Sequence, residues 1–546
     1  MYVGTEIQIG KLVENIEDTT DWISQLPDSI VHHILSLLDS PKELVRMSVL
    51  SNYWFGLTAS FPILDFNFSK FKEVIESSGI PFDTDKDKRE IFFKYVEYTI
   101  SRFCEQIVNA HTVNLITSLV DPTEVDIIDR CLGLILKKGV KVLVVDTINK
   151  ETWVSQPQKI HVPNILLSAS SLTSLTLSGC ELPSSVTVYF GKFMSLKYLT
   201  LEFVRLNEEV IKHITTSCPF LEELKVRYCH GFERFYVSGL PNLKQAEVCF
   251  RCEVKRIDIE APNIRHLVLM DIDESGLPSM NVASCQKLTK LSYSGYPSPT
   301  SKGLVDLSTN FPFLETFILD LPYECKSLNL SSHTLRMFEL RSECHLDKIN
   351  INTPNLLLFG YKGSSHSFLD MERESVPAQA CMECDLDRYV DSLWFQKLRD
   401  FLDKEIRFKE LKLHVNVGSV DFEELRVIHW PPFELEHVEL EAENFEELCF
   451  YEAVVDSLLW CCRPQSLTLI FDFPFTDFEK RGRVVKFTYE KLLQQEDQVH
   501  PNIKFVMSSS SSNAEMNFSD LSSLLTALPR DGPRQTITFI KKQAGQ

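Results

Sequence analysis

Apolar and polar positions alternate along the middle of the chain in one recurring register, apolar-x-x-apolar-x-apolar. It reads Leu172-Leu175-Leu177, Leu196-Leu199-Leu201, Leu221-Leu224-Val226, Leu243-Ala246-Val248 and Ile264-Leu267-Leu269. It continues as Leu288-Leu291-Tyr293, Leu314-Phe317-Leu319, Leu335-Phe338-Leu340 and Leu356-Phe359-Tyr361. Successive starts lie 24, 25, 22, 21, 24, 26, 21 and 21 residues apart. Alternation at period two marks each copy as a short strand with its apolar residues on one side. No single copy can bury that side alone. Stacking the copies joins the strands into a parallel sheet over a continuous core. Leads such as Ser217-Cys218-Pro219 and Ala261-Pro262-Asn263 precede the strands and predict a turn into each.

Spacings of about 20 to 29 residues characterise leucine-rich repeats. Two less regular copies stand upstream, Ala110-Val113-Leu115 and Val140-Leu143-Val145, with a helical pattern between them over 122–138. Another helical pattern covers 90–105, with Phe93, Val96, Ile100 and Phe103 on its apolar side. The period breaks after Gly363. The stretch 364–385 reads as loop, and 386–401 as an amphipathic helix with Tyr389, Leu393, Trp394 and Leu398 on one face. The register resumes at Phe408-Leu411-Leu413 and Leu435-Val438-Leu440, with a helix over 445–460 and a strand over 466–471. An irregular end of this kind covers the exposed core of a solenoid. Ser508 to Ser512 reads as a mobile, low-complexity tail.

The N-terminal pattern is different. Leu26-Pro27-Asp28 is a sharp chain entry, because proline is tolerated in the first turn of a helix. Ile30, Ile34, Leu37 and Leu38 then recur at helical spacing, and Ser40-Pro41 ends that helix. A second helical pattern carries Leu44, Met47, Leu50 and Trp54. Such a small helical unit buries too little surface to be secure alone, so its leftover apolar residues need a partner or the rest of the chain.

These residues resemble the F-box: Leu-Pro-Asp, then Ile-x-x-x-Ile-Leu-x-x-Leu, then Ser-Val-Leu-Ser-x-x-Trp. Phe61-Pro62-Ile63-Leu64-Asp65-Phe66 resembles the segment joining the F-box to leucine-rich repeats in plant F-box proteins. Asn52-Tyr53 departs from the basic residues usual before the tryptophan, and the C-terminal region departs from the FBD pattern found in some of these proteins. The expected fold is α/β: a small all-α F-box, then a solenoid with parallel strands on its concave face and helices or irregular segments on its convex face. The expected boundaries are a flexible segment over 1–20, the F-box over 21–66 and the solenoid over 67–362. A loop and helical insertion follows over 363–407, then irregular terminal repeats over 408–505 and a flexible tail over 506–546.

Composition narrows the function classes. A net charge of −20 argues against nucleic acid, whose phosphates need a basic surface, and against an anionic membrane. The segment 1–20 is polar and acidic, unlike a secretory signal. The 15 cysteines form no framework, as befits free thiols in a reducing compartment, the nucleus or cytoplasm. Cys249-x-x-Cys252 and Cys381-x-x-Cys384 lie too far apart in sequence to suggest one tetrahedral zinc site. No phosphate-binding loop, nucleophile elbow or zinc-protease helix is present. No cofactor and no catalytic residue is expected.

The resemblance implies a non-catalytic adaptor subunit. Leu26, Pro27, Ile30, Ile34, Leu38, Leu50 and Trp54 would form or support a surface for a Skp1-like adaptor, and through it a cullin. The repeats would hold an unknown protein substrate for ubiquitination. By the period-two count, Glu223, Lys225, Arg227, His266, Val268, Met270, Thr316, Ile318, Asp320, Glu339 and Arg341 lie on the concave face. Two alternatives stay open at this point: a receptor for a small molecule or peptide, and an assembly subunit that binds Skp1 without degrading anything.

Overall fold

A computed structural model describes residues 26–36, 47, 51–77, 84–105, 109–119, 121–148, 160–161, 166, 169–182, 193–273, 278–282, 284–295, 311–321, 327–342, 348–363, 371–373, 379–384, 390–391, 395–396, 398–399, 409–416, 420–421, 432–443, 448–471, 478–495, 503–509, 512–528 and 535–541. The chain divides into two compact units, Met1–Phe232 with Val237–Asn242, and Glu233–Tyr236 with Leu243–Gln546.

In the first unit, helices Asp28–Ser36 and Asn52–Ala59 close on a small cluster of Val31, Leu35, Trp54, Leu57 and Phe61, against which Leu26, Met47 and Ile63 pack. Ser51 caps the second helix by accepting from the Trp54 N–H at 3.2 Å. The chain then enters a parallel sheet. Its strands run Ile63–Asn67, Thr112–Ile116, Val142–Asp146, Ser174–Ser178, Tyr198–Glu202 and Glu223–Arg227, each paired in register with the next. Their alternate residues, such as Leu199 and Leu224, are buried, as the register predicts. Helices Asp85–Glu105, Pro122–Ile135 and Glu208–Ser217 supply the connections between strands. Arg89 joins the first two of these. It donates to both Glu124 carboxylate oxygens, at 2.8 and 2.7 Å, with its guanidinium over the Phe68 and Phe93 rings.

In the second unit the strands Gln245–Phe250, His266–Asp271, Lys290–Ser294, Thr316–Leu321, Met337–Ser342 and Leu358–Gly363 pair in parallel one after another. Ile264, Leu267, Leu269, Leu291, Leu319 and Leu340 are buried beneath them. Phe317 and Phe338 stack in successive turns with ring centroids 5.8 Å apart, and Phe359 follows in the next turn, tilted 43° with its centroid 5.9 Å from that of Phe338. The predicted turns recur before the strands: the N–H of Ile264 donates to the Ala261 carbonyl at 3.2 Å, and that of Leu314 to Phe311 at 3.1 Å. At one strand exit Gly295 has φ +142°, and a Cβ there would stand 2.5 Å from Asp271 Cβ, so glycine is required.

The back of this unit differs from the helical or irregular segments expected. Arg256–Glu260 pairs in parallel with Ser279–Asn281, and Ser327–Ser331 pairs with Lys348–Asn352, which pairs with Met371–Arg373. The 21-residue intervals hold a second strand, as do the 22- and 24-residue intervals from Leu221 and Ile264, whereas the 25-residue interval from Leu196 holds the helix Glu208–Ser217.

Two C-terminal expectations are corrected. Part of the predicted loop at 364–385 is the strand Gln379–Cys384, which carries the sheet from Leu358–Gly363 to Glu410–Asn416. By register Ala380 and Met382 align with Phe359 and Tyr361, and they lack the leucine signal. The predicted flexible tail forms strands Ser512–Phe518 and Gln535–Lys541 and helix Leu521–Ala527. Serine content hid the alternation of Ile537 and Phe539, both buried. The expected helix over 445–460 is Leu448–Cys461, and the parallel run of strands ends at Cys462–Phe471, beyond which the sheet continues antiparallel. Of the amphipathic segment 386–401, Leu398 is buried along with Phe395, while Tyr389, Leu393 and Trp394 lie outside the described residues.

Candidate functional site

Helix Asp28–Ser36 has two apolar faces, and the structure buries only one. Val31 and Leu35 are 0% and 1% exposed, whereas Ile30 and Ile34 are 47% and 40% exposed. The choice follows from Trp54, Leu57 and Phe61, which meet the Val31 and Leu35 side and leave the other to solvent. His32 holds the same orientation, with Nε2 3.2 Å from the Leu57 carbonyl and its ring edge-on to Phe61 at 5.7 Å. Pro27 is exposed at the helix entry, and its carbonyl accepts from the Ile30 and Val31 N–H groups at 2.8 and 3.2 Å. Leu26, partly buried, packs on the cluster, and Trp54 is buried within it. Leu38 and Leu50 lie outside the described residues.

The expected repeat-face residues sit on the solvent side of their strands. In the second unit, register aligns His266 with Lys290, Thr316 and Met337. It aligns Val268 with Ser292, Ile318 and Glu339, and Met270 with Ser294, Asp320 and Arg341. His266, Val268, Met270, Ile318, Asp320 and Glu339 are half-buried, and Arg341 is exposed. Arg341 pairs with Glu339 at 2.7 Å, and the Ser294 hydroxyl donates to Asp320 at 3.3 Å. Glu223, Lys225 and Arg227 belong to the first unit, beside Tyr198, Thr200 and Glu202, with Lys225 ion-paired to Glu223.

The sequence reading passed over Lys290, Ser292 and Ser294, although the same period-two count marks them. Cys249 lies beneath this face, with its Sγ 3.5 Å from the Met270 sulfur. Cys249 is buried, whereas Cys252 is exposed and takes an N–H-to-carboxylate contact of 3.0 Å to Asp273. A hydrogen bond to Asp273 pushes the Cys252 thiol up from its ordinary value, away from ready thiolate chemistry. Among the described residues no three His, Cys, Asp or Glu side chains converge as a metal would require. No described helix is long and apolar enough to cross a membrane.

The fold is thus a leucine-rich-repeat solenoid behind a small helical unit. The family profile of the At1g61320/AtMIF1 LRR domain matches residues 106–334. F-box/LRR-repeat protein 25 of Arabidopsis thaliana is 26% identical over 260 residues, 47% of this chain and 88% of that protein. F-box/LRR-repeat protein 13 of the same plant is 26% identical over 266 residues, 46% of this chain and 52% of that protein. F-box/LRR-repeat protein At3g03360, also from Arabidopsis thaliana, is 25% identical over 334 residues, 60% of this chain and 62% of that protein. The chain spans about half to two thirds of the length of the latter two. Over about half of its length the chain is thus similar to plant F-box/LRR-repeat proteins.

Proposed function

We propose that this chain is the substrate-recognition subunit of a Skp1–cullin–F-box ubiquitin ligase, acting in the nucleus or cytoplasm. The helical unit docks a Skp1-like adaptor, and the solvent face of the repeat sheet holds a protein substrate. The observation that carries this reading is the exposed pair Ile30 and Ile34 on a helix whose opposite face is anchored. Burying the remaining surface of these two side chains in a partner is favourable by about 1 kcal/mol each. The chain performs no chemistry itself. It raises the effective concentration of substrate lysines near a charged ubiquitin-conjugating enzyme.

The test is co-purification of the full chain with a Skp1-like adaptor. Ile30→Asp with Ile34→Asp should abolish recovery of the adaptor and leave the melting temperature unchanged, because both residues are exposed. Undiminished recovery overturns the proposal. Adaptor binding without accumulation of any captured protein under proteasome inhibition would instead indicate a non-degradative subunit.

A further inference from the structure

The strands of the second unit share an entry edge, and this edge is shaped. A groove of about 940 Å³ runs along it, with Arg265, Lys287, Phe313, Glu315, Arg336 and Leu357 among its walls. Its spacing is set by the backbone. The Thr289 N–H donates to the Arg265 carbonyl, Glu315 to Thr289, Arg336 to Glu315 and Leu357 to Arg336, at 2.8 to 3.0 Å. Each of these residues therefore opens one strand. Arg265 and Arg336 are three strand spacings apart, about 14 Å at ~4.8 Å per strand.

The charge of this edge opposes that of the chain. Net charge overall is −20, yet the groove carries Arg265, Lys287 and Arg336 against Glu315 alone. Among the described residues neither Arg265 nor Arg336 forms an ion pair. In the first unit the equivalent positions after the leading leucine are Lys197 and Glu222, and these two pair with each other at 3.1 Å. The second unit also holds apolar side chains out to solvent here: Phe313 is 57% exposed and Leu357 54%. Apolar anchors inside a charged rim are the composition of a protein-binding surface.

We propose that this edge is a docking groove for an extended, acidic segment of another protein. An extended chain advances about 3.4 Å per residue, so acids about four residues apart match Arg265 and Arg336. Glu315 lies between them and repels an acid at the middle position, where Phe313 favours an apolar side chain. The pattern is acid, spacer, apolar, spacer, acid. The cations are strung along the edge instead of converging, which suits a peptide better than a lone phosphate. The groove is separate from the solvent face of the strands, and its occupant does not depend on adaptor docking.

The test uses the full chain and a fluorescein-labelled peptide with the core Asp-Ser-Leu-Ser-Asp, read by anisotropy at low salt. Saturable binding should weaken about tenfold or more in Arg265→Glu with Arg336→Glu. Phe313→Ser with Leu357→Ser should also weaken it. These four side chains are exposed, and an unchanged melting curve verifies folding. A peptide with glutamate in place of the leucine should bind less well, and Glu315→Gln should restore part of that loss. Equal binding by the charge-reversed chain overturns the proposal, and so does equal binding of a lysine-for-aspartate peptide. Full displacement by inorganic phosphate at concentrations near that of the peptide would reduce the groove to an anion site and equally overturn it.

Discussion

Phe203 and Tyr228 stack face to face at successive strand exits of the first unit, centroids 4.8 Å apart and rings 12° from parallel. Both have left-handed backbones, with φ of 52° and 53°. The repeat before them places Gly179 at the equivalent position, φ 70°. Glycine adopts that conformation freely, whereas a side chain there costs about 1–2 kcal/mol. The stack, and the half-burial of both rings, offsets the cost.

An inverted order of stability follows. Phe203→Ala loses the stack and keeps the backbone strain, while Phe203→Gly loses the stack and relieves the strain. The glycine variant should be the more stable of the two by roughly 1 kcal/mol. Denaturant melts of both variants check this. The ordinary ranking, alanine above glycine, would show that the strain is absent.

The two faces of helix Asp28–Ser36 should respond oppositely to truncation. Leu35→Ala opens the cluster around Trp54 and should cost about 2–5 kcal/mol of the local stability. Ile30→Ala and Ile34→Ala should each stay within about 0.5 kcal/mol, as exposed substitutions do. Hydrogen exchange of the Trp54 and Leu57 amides reads that stability directly.

Phe338 is packed between Phe317 and Phe359 and is fully buried. Phe338→Ala should cost about 3–5 kcal/mol, and Phe338→Leu distinctly less. Chemical denaturation of the full chain, followed by near-UV circular dichroism, measures the difference. Equal losses for the two variants would mean that the row of aromatic rings does not set the packing.

Asp258 gives a pH dependence. Burial pushes its carboxyl up, but hydrogen bonds from the Arg256 and Arg234 guanidinium groups, at 2.9 and 2.6 Å, outweigh it and hold the pKa below 3.8. A lowered folded pKa makes its contribution complete above the ordinary carboxylate range and lost as pH falls through the lower folded value. Asp258→Asn should therefore destabilise the second unit at neutral pH and flatten the acid side of its stability profile. Thermal melts between neutral pH and about pH 2 check both.

The repeat fold was legible because its signal is redundant. Leu267, Leu291, Phe317 and Phe338 occupy one register, and a parallel ladder is the only arrangement that buries them together. Where the signal failed, the residues explain it. Ala380 and Met382 align in register with Phe359 and Tyr361 without a leucine, and the strand Ser512–Phe518 is too polar to announce itself. The candidate surfaces were only half legible. Helix periodicity admits Ile30 and Ile34 or Val31 and Leu35 as the inner face, and the downstream residues Trp54, Leu57 and Phe61 decide between them. The groove at the strand entries escaped because its side chains sit outside the period-two count.

The last strand, Gln535–Lys541, lies between Cys462–Phe471 and Ile503–Ser509, antiparallel to both. The edge of Cys462–Phe471 is therefore sealed by residues that leave the ribosome some seventy positions after it. Until then the whole repeat array ends in an unpaired, apolar strand, open to pairing with another nascent chain. A truncation just before Gln535 would leave every repeat strand in place and still uncover the edge of Cys462–Phe471 as a template for aggregation.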